Sequence, residues 1–372
     1  MDQRKQALAT WARQCLQQMS AQAPVLGTLE TVSGDASFRR YFRLRFDAAL
    51  SCDSAPLAAV APASLQCSQF VLVDAPPEHE DNPRFVRVAE VLRGAGLRTP
   101  RVLQVDYAQG FLLLEDFGDT LYLPALQAED AVDARYGAAM QALIHLQAHG
   151  SSKQLPPYDR ALLRRELALF DDWFCERFLG LSLTDAERAL LARTWTLLED
   201  AALAQTQTCV HRDYHSRNLM ILSTDPHAAP GVIDFQDAVR GPYTYDLVSL
   251  LRDCYIVWPQ EKVRAWALQF RQMALAADVL PADAQHTEAR FLRDFDLMGL
   301  QRHIKVIGIF CRLNLRDAKP RYMADIPLVI DYVLSVSASH PEMAEFRQWF
   351  QNRLLPLANE RLATYAAQGV HP

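Results

Sequence analysis

The first third of the chain consists of short apolar runs separated by turn residues, a pattern typical of strands. The runs cover residues 25–32, 38–46, 69–75, 101–107 and 111–115. Between the third and fourth runs, apolar residues recur at helical spacing after Asn82-Pro83, and the pattern ends at Gly94. This region predicts a five-stranded antiparallel sheet with one helix.

Two segments of this region do not fit a strand pattern. Residues 47–68 are rich in Ala, Ser and Pro and have no clear period, so we expect an extended surface insertion. An ordered helix-plus-loop excursion is the alternative. The first 20 residues have no apolar signal core, and Leu8, Trp11, Leu16 and their apolar neighbours recur at helical spacing instead.

After Gly118 the pattern changes to long helices. They are expected at 129–148, 160–178, 184–204, 246–257, 261–277, and over most of 287–311 and 342–367, with short strands near 208–210, 219–222 and 231–235. Strands followed by helices indicate an α+β fold with two lobes. We expect a β-rich N-terminal lobe at 1–117 and a helical C-terminal lobe at 118–372.

The amino-acid composition argues against several classes of function. Half of the 372 residues are apolar, and 38 Lys and Arg against 44 Asp and Glu give a formal charge of −6. A general nucleic-acid binder would carry a basic excess, and no apolar run approaches the roughly 18 residues of a membrane span. The seven cysteines are scattered without a C-x-x-C pair, which favours a reduced, cytoplasmic protein. We expect a monomer with neither a nucleic-acid nor a membrane partner.

The candidate chemistry lies between residues 208 and 246. His211-Arg212-Asp213 is followed by Asn218, and Asp234 follows a short apolar run. This spacing fits phosphoryl transfer. One carboxylate must accept or orient the proton of the attacking hydroxyl, and a second carboxylate with an amide oxygen can hold Mg²⁺, which prefers oxygen ligands.

The stretch H-R-D-Y-H-S-R-N is close to the catalytic loop of tyrosine kinases, so a protein kinase is the first alternative. Two features count against it. Asp234-Phe235 is followed by Gln236 and not by Gly, and only eleven residues separate Asp234 from Asp246, with no A-P-E after them. This spacing leaves no room for an activation loop, so a small-molecule hydroxyl is the better acceptor.

These motifs resemble the aminoglycoside/choline phosphotransferase family, which shares its two-lobed fold with the protein kinases. The resemblance implies that Asp213 is the catalytic base and that Asn218 and Asp234 hold Mg²⁺, with ATP as the phosphoryl donor. It also implies that Asp246 hydrogen-bonds the catalytic loop. A plain helix N-cap is an equally good interpretation of Asp246.

The N-terminal lobe should hold ATP. The loop between the first two strands could present backbone N–H groups to phosphates; it comprises Ser33, Gly34, Asp35, Ala36 and Ser37. Glu115 and Phe117 lie where the lobes join, the expected position of the adenine. The family usually has a Lys on the third strand, but residues 69–75 contain none. Arg40 and His215 are the expected replacements, with Arg39 and Arg43 as alternatives.

Longer segments sharpen the resemblance: S-G-D-A-S-F-R-R-Y-F-R, V-D-A-P-P-E-H-E-D, L-L-L-E-D-F-G-D and I-D-F-Q-D-A-V-R-G-P. They are similar to the bacterial amino-sugar kinases of cell-wall recycling, which phosphorylate the anomeric hydroxyl of N-acetylmuramate and N-acetylglucosamine. Three other acceptors remain possible, namely an aminoglycoside, choline and homoserine. A catalytically silent nucleotide-binding regulator is a further alternative, because the Lys is missing.

An amino-sugar substrate requires polar side chains on several sides, and the lactyl carboxylate of N-acetylmuramate favours an arginine. The candidates in the C-terminal lobe are Asp237, Arg240, Arg177, Arg312 and Asn314. For each of them taken singly, a surface salt bridge or a helix cap is the structural alternative.

Overall fold

A computed structural model describes residues 2–19, 29–32, 38–52, 65–283 and 286–369, with the backbone alone for 46–52 and 65–67. The chain divides into two compact units. The first comprises Met1–Thr120, Leu219–Thr224 and Ala229–Gln236, and the second comprises Leu121–Asn218, Asp225–Ala228 and Asp237–Pro372.

The first unit is built on a five-stranded antiparallel sheet in the order β1-β2-β3-β5-β4, which confirms the sheet predicted from the sequence. Its elements are α1 (Gln3–Met19), β1 (Glu30–Thr31), β2 (Arg40–Cys52), β3 (Leu65–Asp74), α2 (Asn82–Gly94), β4 (Val102–Asp106) and β5 (Phe111–Glu115). The side chain of Asp81 caps α2 by accepting from the Arg84 amide at 2.9 Å.

The hairpin of β2 and β3 is longer than the sequence predicts. After a register shift its strands pair again from Leu50 with Cys67 to Cys52 with Leu65, so the ends of the expected insertion at 47–68 are strand. Cross-strand hydrogen bonding can extend a hairpin through residues of low β-propensity, because propensity is a weak constraint. The rest of the insertion, residues 53–64, lies outside the described residues.

The alternation of side chains along β2 gives the sheet two different faces. Phe42 and Leu44 are buried against Leu8 and Leu16 of α1, and Arg40 lies on this same side, with its guanidinium 5.6 Å from the Phe42 ring centroid. The residues that alternate with these, such as Arg43, point to the other face of the sheet.

The second unit is mainly helical. Its helices are α3 (Tyr122–Gln127), α4 (Val132–His149), α5 (Arg160–Leu169), α6 (Asp185–Leu203), α7 (Tyr245–Leu251), α8 (Gln260–Ala276), α9 (Glu288–Leu315), α10 (Ile326–Ser337), α11 (Ala344–Trp349) and α12 (Leu355–Ala367). The α5 helix continues as a π-helix through Phe170–Phe178. β6 (Gln207–Val210) pairs with β9 (Val239–Pro242), whereas β7 (Leu219–Met220) and β8 (Gly231–Val232) form a ribbon in the first unit.

The sequence patterns did not predict α3, α10 or β9. The α10 segment, I-P-L-V-I-D-Y-V-L-S-V-S, is an almost continuous apolar run, so its helical period is hidden. It packs on α9 within the main core of this unit, which includes Phe170, Phe174 and Trp195.

Helix α9 passes very close to the end of α5. A Cβ atom at Gly308 would lie 2.4 Å from the carbonyl carbon of Leu169, so no other residue fits there. This close packing brings the middle of α9 against the helix that carries Glu166.

Within the described ranges, no helix is both long and apolar enough to cross a membrane. Five cysteines of these ranges, Cys15, Cys175, Cys209, Cys254 and Cys311, are buried as free thiols. Free thiols are what the scattered cysteine pattern predicts.

We predict that the stability of the protein depends on pH through Asp171, which lies in the π-helical segment. Its carboxylate accepts from Trp195 Nε1 at 3.2 Å, and burial raises its pKa from 3.8 to about 7. Because the folded-state pKa is the higher one, the stability that the neutral form contributes is complete below about pH 4 and is lost as the pH rises to 7. Asp171→Asn should therefore exceed the parent in unfolding free energy by about 2–4 kcal/mol at pH 8, with a smaller gain at pH 5.

Urea unfolding of both proteins at the two pH values measures this difference. Asp172→Asn is the matched control, because Asp172 is exposed, and it should change stability by less than about 0.5 kcal/mol. An Asp171→Asn gain that is the same at pH 5 and pH 8 would contradict the assignment.

Candidate active site

The loop that follows β6 is held by one buried carboxylate. Asp246 Oδ2 accepts from the backbone N–H of His211 at 2.6 Å, and Oδ1 accepts from that of Arg212 at 2.9 Å. The cap position of α7 is Thr244, whose side chain makes no cap bond. Of the two interpretations of Asp246, the structure therefore shows the one in which it supports the loop. Burial raises the pKa of Asp246 to about 7, although the two N–H donors oppose this shift.

Arg212 has a left-handed backbone, with φ at +81°. Such a conformation is strained in a residue with a Cβ and persists only where the surroundings hold it. Its carbonyl accepts from Ser249 Oγ at 3.2 Å. The turn at Arg212 sets the direction in which the next residue, Asp213, leaves the strand.

Asp213 is the predicted base, and its surroundings favour the ionised form. Burial alone would raise its pKa, but the positive charges of Lys305, Arg212 and Arg302 outweigh burial and hold the pKa below its ordinary value. A carboxylate that stays ionised can accept a hydrogen bond from a hydroxyl and orient it.

Asn218 and Ser216 close the loop. Asn218 Nδ2 donates to the carbonyl of Asp213 at 3.0 Å, so the side-chain oxygen is the Asn218 atom that can bind a cation. Ser216 donates from its backbone N–H to Asp253 Oδ2 at 2.9 Å.

His215 packs edge-on against Tyr255, and burial lowers its pKa. At neutral pH a histidine with a lowered pKa is uncharged, which weakens it as a phosphate-binding cation.

Asp234 belongs to the first unit. It also has a left-handed backbone, with φ at +64°, and accepts from Gln236 Nε2 at 2.7 Å. The next residue, Phe235, is buried, and its ring centroid lies 4.9 Å from that of Phe85 on α2. Carboxylate and amide oxygens are hard ligands of the kind that Mg²⁺ takes, so the donor types of Asp234 and Asn218 fit this ion.

The three arginines near the start of β2 all have carboxylate partners. Arg40 pairs with Asp2 and Asp74 on the α1 face of the sheet. On the opposite face, Arg43 pairs with Asp116 and Asp119. Arg39 lies 2.8 Å from Glu80 and 5.4 Å from the ring centroid of Phe85, the residue that packs on Phe235. Of the three arginines, Arg39 is therefore the one that is connected to Asp234, through the packing of Phe85 on Phe235.

The expected adenine residues also lie in the first unit. Glu115 is buried and accepts from Arg98 Nη2 at 2.7 Å. The Phe117 ring lies against Gly231 of β8, where a Cβ would come within 2.8 Å of it. The structure thus brings Phe117 to the strand that precedes Asp234. The expected phosphate loop, Ser33 to Ser37, lies outside the described residues.

The predicted substrate residues fall into two groups. Asp237 and Arg240 adjoin the loop, since the Asp237 carbonyl accepts from Arg212 Nη1 at 3.4 Å and Arg240 pairs with Cys209 of β6. The other three have partners elsewhere or lie further along α9.

Arg177 lies 4.0 Å from the Trp173 ring centroid, and Asn314 donates to the hydroxyl of Tyr365 at 2.7 Å. Arg312 is half-buried, and burial lowers its pKa. At 1.5 Å per residue, Asn314 lies about 14 Å along the helix from Lys305.

Sequence reasoning missed the charged groups that α5 and α9 bring to the loop. These are Glu166, Arg302 and Lys305, all of them buried. The sequence does contain a signal for Arg302 and Lys305. They stand three residues apart within an apolar helix, where a buried charge needs a partner. The partner of Lys305, Glu166 on α5, could not be found without the fold. Across the described parts of the chain, no group of three or more His, Cys, Asp or Glu is placed to hold a metal.

The sequence matches the model of the phosphotransferase enzyme family over residues 28–288. The chain belongs to this family. Two relatives are N-acetylmuramate/N-acetylglucosamine kinases. The one from Pseudomonas putida is 44% identical over 319 residues, covering 86% of this chain and 86% of that protein. The one from Pseudomonas aeruginosa is 42% identical over 350 residues, covering 92% of this chain and 95% of that protein.

Among solved structures, an ethanolamine kinase of Plasmodium vivax superposes with a TM-score of 0.55, covering 83% of this chain and 82% of that one. At 10% sequence identity this likeness concerns the fold alone. It confirms the kinase-like fold expected from the H-R-D and Asp234 motifs.

We predict that replacing Asp246 by Asn weakens both the stability of the fold and the turnover of the enzyme. Asp246→Asn leaves one of the two loop N–H groups facing an amide –NH₂, and a buried unsatisfied donor costs about 1–3 kcal/mol. We expect a loss of unfolding free energy of this size and a larger fall in kcat than in MgATP affinity. Urea unfolding and steady-state kinetics measure the two effects. An unchanged kcat would show that the Asp246 contacts do not position the loop.

Proposed function

We propose that this protein transfers the γ-phosphoryl group of ATP to the anomeric hydroxyl of N-acetylmuramate and N-acetylglucosamine, giving the sugar 1-phosphate for peptidoglycan recycling. The observation that carries the proposal is the 42–44% identity, over at least 86% of this chain, to proteins named as kinases of these two sugars. We expect the reaction to take place in the cytoplasm and the enzyme to be a monomer.

Asp213 acts in this proposal as the base, or as the group that orients the anomeric hydroxyl. The cationic surroundings that keep its pKa low support this role. Mg²⁺ held by Asn218 and Asp234 would neutralise charge on the nucleotide phosphates. Glu115 and Phe117 are proposed for the adenine, and the loop Ser33 to Ser37 for the phosphates.

A cation must also compensate the phosphates, since the third strand has no Lys. We favour Arg39 over Arg40 for this role. Arg39 contacts Phe85, which packs on the residue after Asp234, whereas Arg40 lies on the α1 face with two carboxylates. Glu80, whose side chain is 9% exposed, would hold Arg39 in place.

For the sugar we propose Asp237 and Arg240, which adjoin the catalytic loop. Asp237 suits a sugar hydroxyl, and a cation suits the lactyl carboxylate of N-acetylmuramate. Arg177, Arg312 and Asn314 remain secondary candidates, because Arg177 and Asn314 have aromatic partners and Arg312 lies two turns beyond Lys305 on α9.

A coupled ADP-release assay with MgATP and a panel of acceptors tests the function. The panel is N-acetylmuramate, N-acetylglucosamine, glucose, kanamycin, choline and homoserine. We expect turnover with the two N-acetyl sugars and an acid-labile product phosphate, which marks the anomeric position. Turnover only with kanamycin, choline or homoserine would replace the substrate assignment. Silence across the panel with ATP still bound would favour the non-catalytic regulator.

Asp213→Ala is the variant that tests the mechanism in the same assay. It should lower kcat by about 10²–10⁴-fold, the range that a general base contributes, and it should leave ATP binding by calorimetry within about threefold. Loss of ATP binding together with turnover would point to a structural role for Asp213.

A comparison of Arg39→Met with Arg40→Met tests which arginine serves the phosphates. A lost charge-assisted hydrogen bond costs about 1.5–3 kcal/mol, so we expect Arg39→Met to raise the KM for ATP roughly tenfold to a hundredfold. Arg39→Lys should recover part of the affinity, which separates the lost charge from a folding defect. A rise in KM with Arg40→Met alone would return the role to Arg40.

A further inference from the structure

The carboxylate of Glu166 connects three elements of the second unit. It accepts from the guanidinium of Arg212 in the catalytic loop and from the hydroxyl of Tyr158. Its Oε1 also lies 3.1 Å from Lys305 Nζ on α9. One carboxylate on α5 is thus shared between a loop cation and a helix cation.

This cluster is buried and its own hydrogen bonds fix its geometry. Glu166 is 6% exposed and Lys305 is 5% exposed. Lys305 also donates to the Tyr245 hydroxyl at 2.9 Å, and Gln301 Nε2 donates to the Tyr158 hydroxyl at 3.2 Å. Removing one member of such a network leaves the others as buried, uncompensated polar groups, so Glu166 has little freedom to move away from Arg212.

Arg212 is the loop residue with the strained left-handed backbone, so its conformation must be held by its contacts. Its backbone is held at both ends, by Asp246 at the N–H and by Ser249 at the carbonyl, but these contacts do not fix the side chain. The guanidinium contacts Glu166 and the Asp237 carbonyl. Glu166 is the charged member of this pair of acceptors, so it supplies the stronger restraint.

We propose that Glu166, anchored by Lys305 and Tyr158, is a positioning residue: it locks the left-handed turn at Arg212 and so aims the Asp213 carboxylate at the acceptor hydroxyl. This inference deepens the proposed function and rests on Asp213 being the base. A misplacement of about 1 Å at a reacting group can cost about 10²-fold in rate.

The chain offers a matched control. Glu199 on α6 is also a fully buried glutamate shared between two cations, Arg160 at 3.2 Å and Arg164. None of the contacts described for it reaches the catalytic loop. Glu166→Gln and Glu199→Gln therefore make the same chemical change at two buried glutamates that each contact two cations, and only the first touches Arg212. The cations that contact Glu199 are more exposed than those that contact Glu166.

Steady-state kinetics with an accepted sugar give the first readout. We expect Glu166→Gln to lower kcat by about 10- to 100-fold while the KM values for ATP and sugar change by less than about threefold. Glu166→Asp, which keeps the charge, should recover part of kcat. Glu199→Gln should keep the parent kcat even where it lowers thermal stability. Equal kcat values for the two glutamine variants would overturn the proposal.

Hydrogen exchange of the full chain gives a second readout that needs no turnover. The amides of His211 and Arg212, which donate to Asp246, should exchange at least tenfold faster in Glu166→Gln than in the parent, and at the parent rate in Glu199→Gln. Unchanged exchange in Glu166→Gln would overturn the proposal whatever the acceptor is. Silence of the parent enzyme on the whole acceptor panel would overturn the proposed function, and the exchange result would still decide the role of Glu166.

Discussion

The two hydrogen bonds from the loop N–H groups to Asp246 are the contact on which the site depends. They hold the backbone of His211 and Arg212 at the end of β6. Asp213, whose carbonyl accepts from Asn218, continues from that point. The support comes from the side chain of a short buried helix, so the fold of the second unit and the geometry of the loop are formed together.

Charge around the loop is arranged to favour one ionisation state. Lys305 and Arg302 approach from α9 and Arg212 lies within the loop, whereas Glu166 balances only part of this positive charge. A buried carboxylate would otherwise become neutral. The surplus of positive charge therefore keeps Asp213 able to accept a hydrogen bond, at the cost of burying cations that need partners of their own.

Much of this could be predicted from sequence, because some constraints are local. The alternation around Phe42 and Leu44 predicted a strand with one buried face, and the spacing of Asp213, Asn218 and Asp234 predicted phosphoryl transfer. The α10 helix was missed because its continuous apolar run hides the period. Glu166 and Lys305 were missed for a different reason: they stand on helices distant in the sequence, and only the close approach of α9 to α5 at Gly308 makes them partners.

The opposite placement of Arg39 and Arg40 has a consequence for how this family can vary in length. Neighbouring residues of a strand point to opposite faces, so deletion of Tyr41 would exchange the environments of the two arginines. The residue now beside Glu80 and Phe85 would move to the α1 helix, and its neighbour would take its place. Natural variants of this segment should therefore change in length by two residues, or carry a compensating bulge, wherever the enzyme remains active.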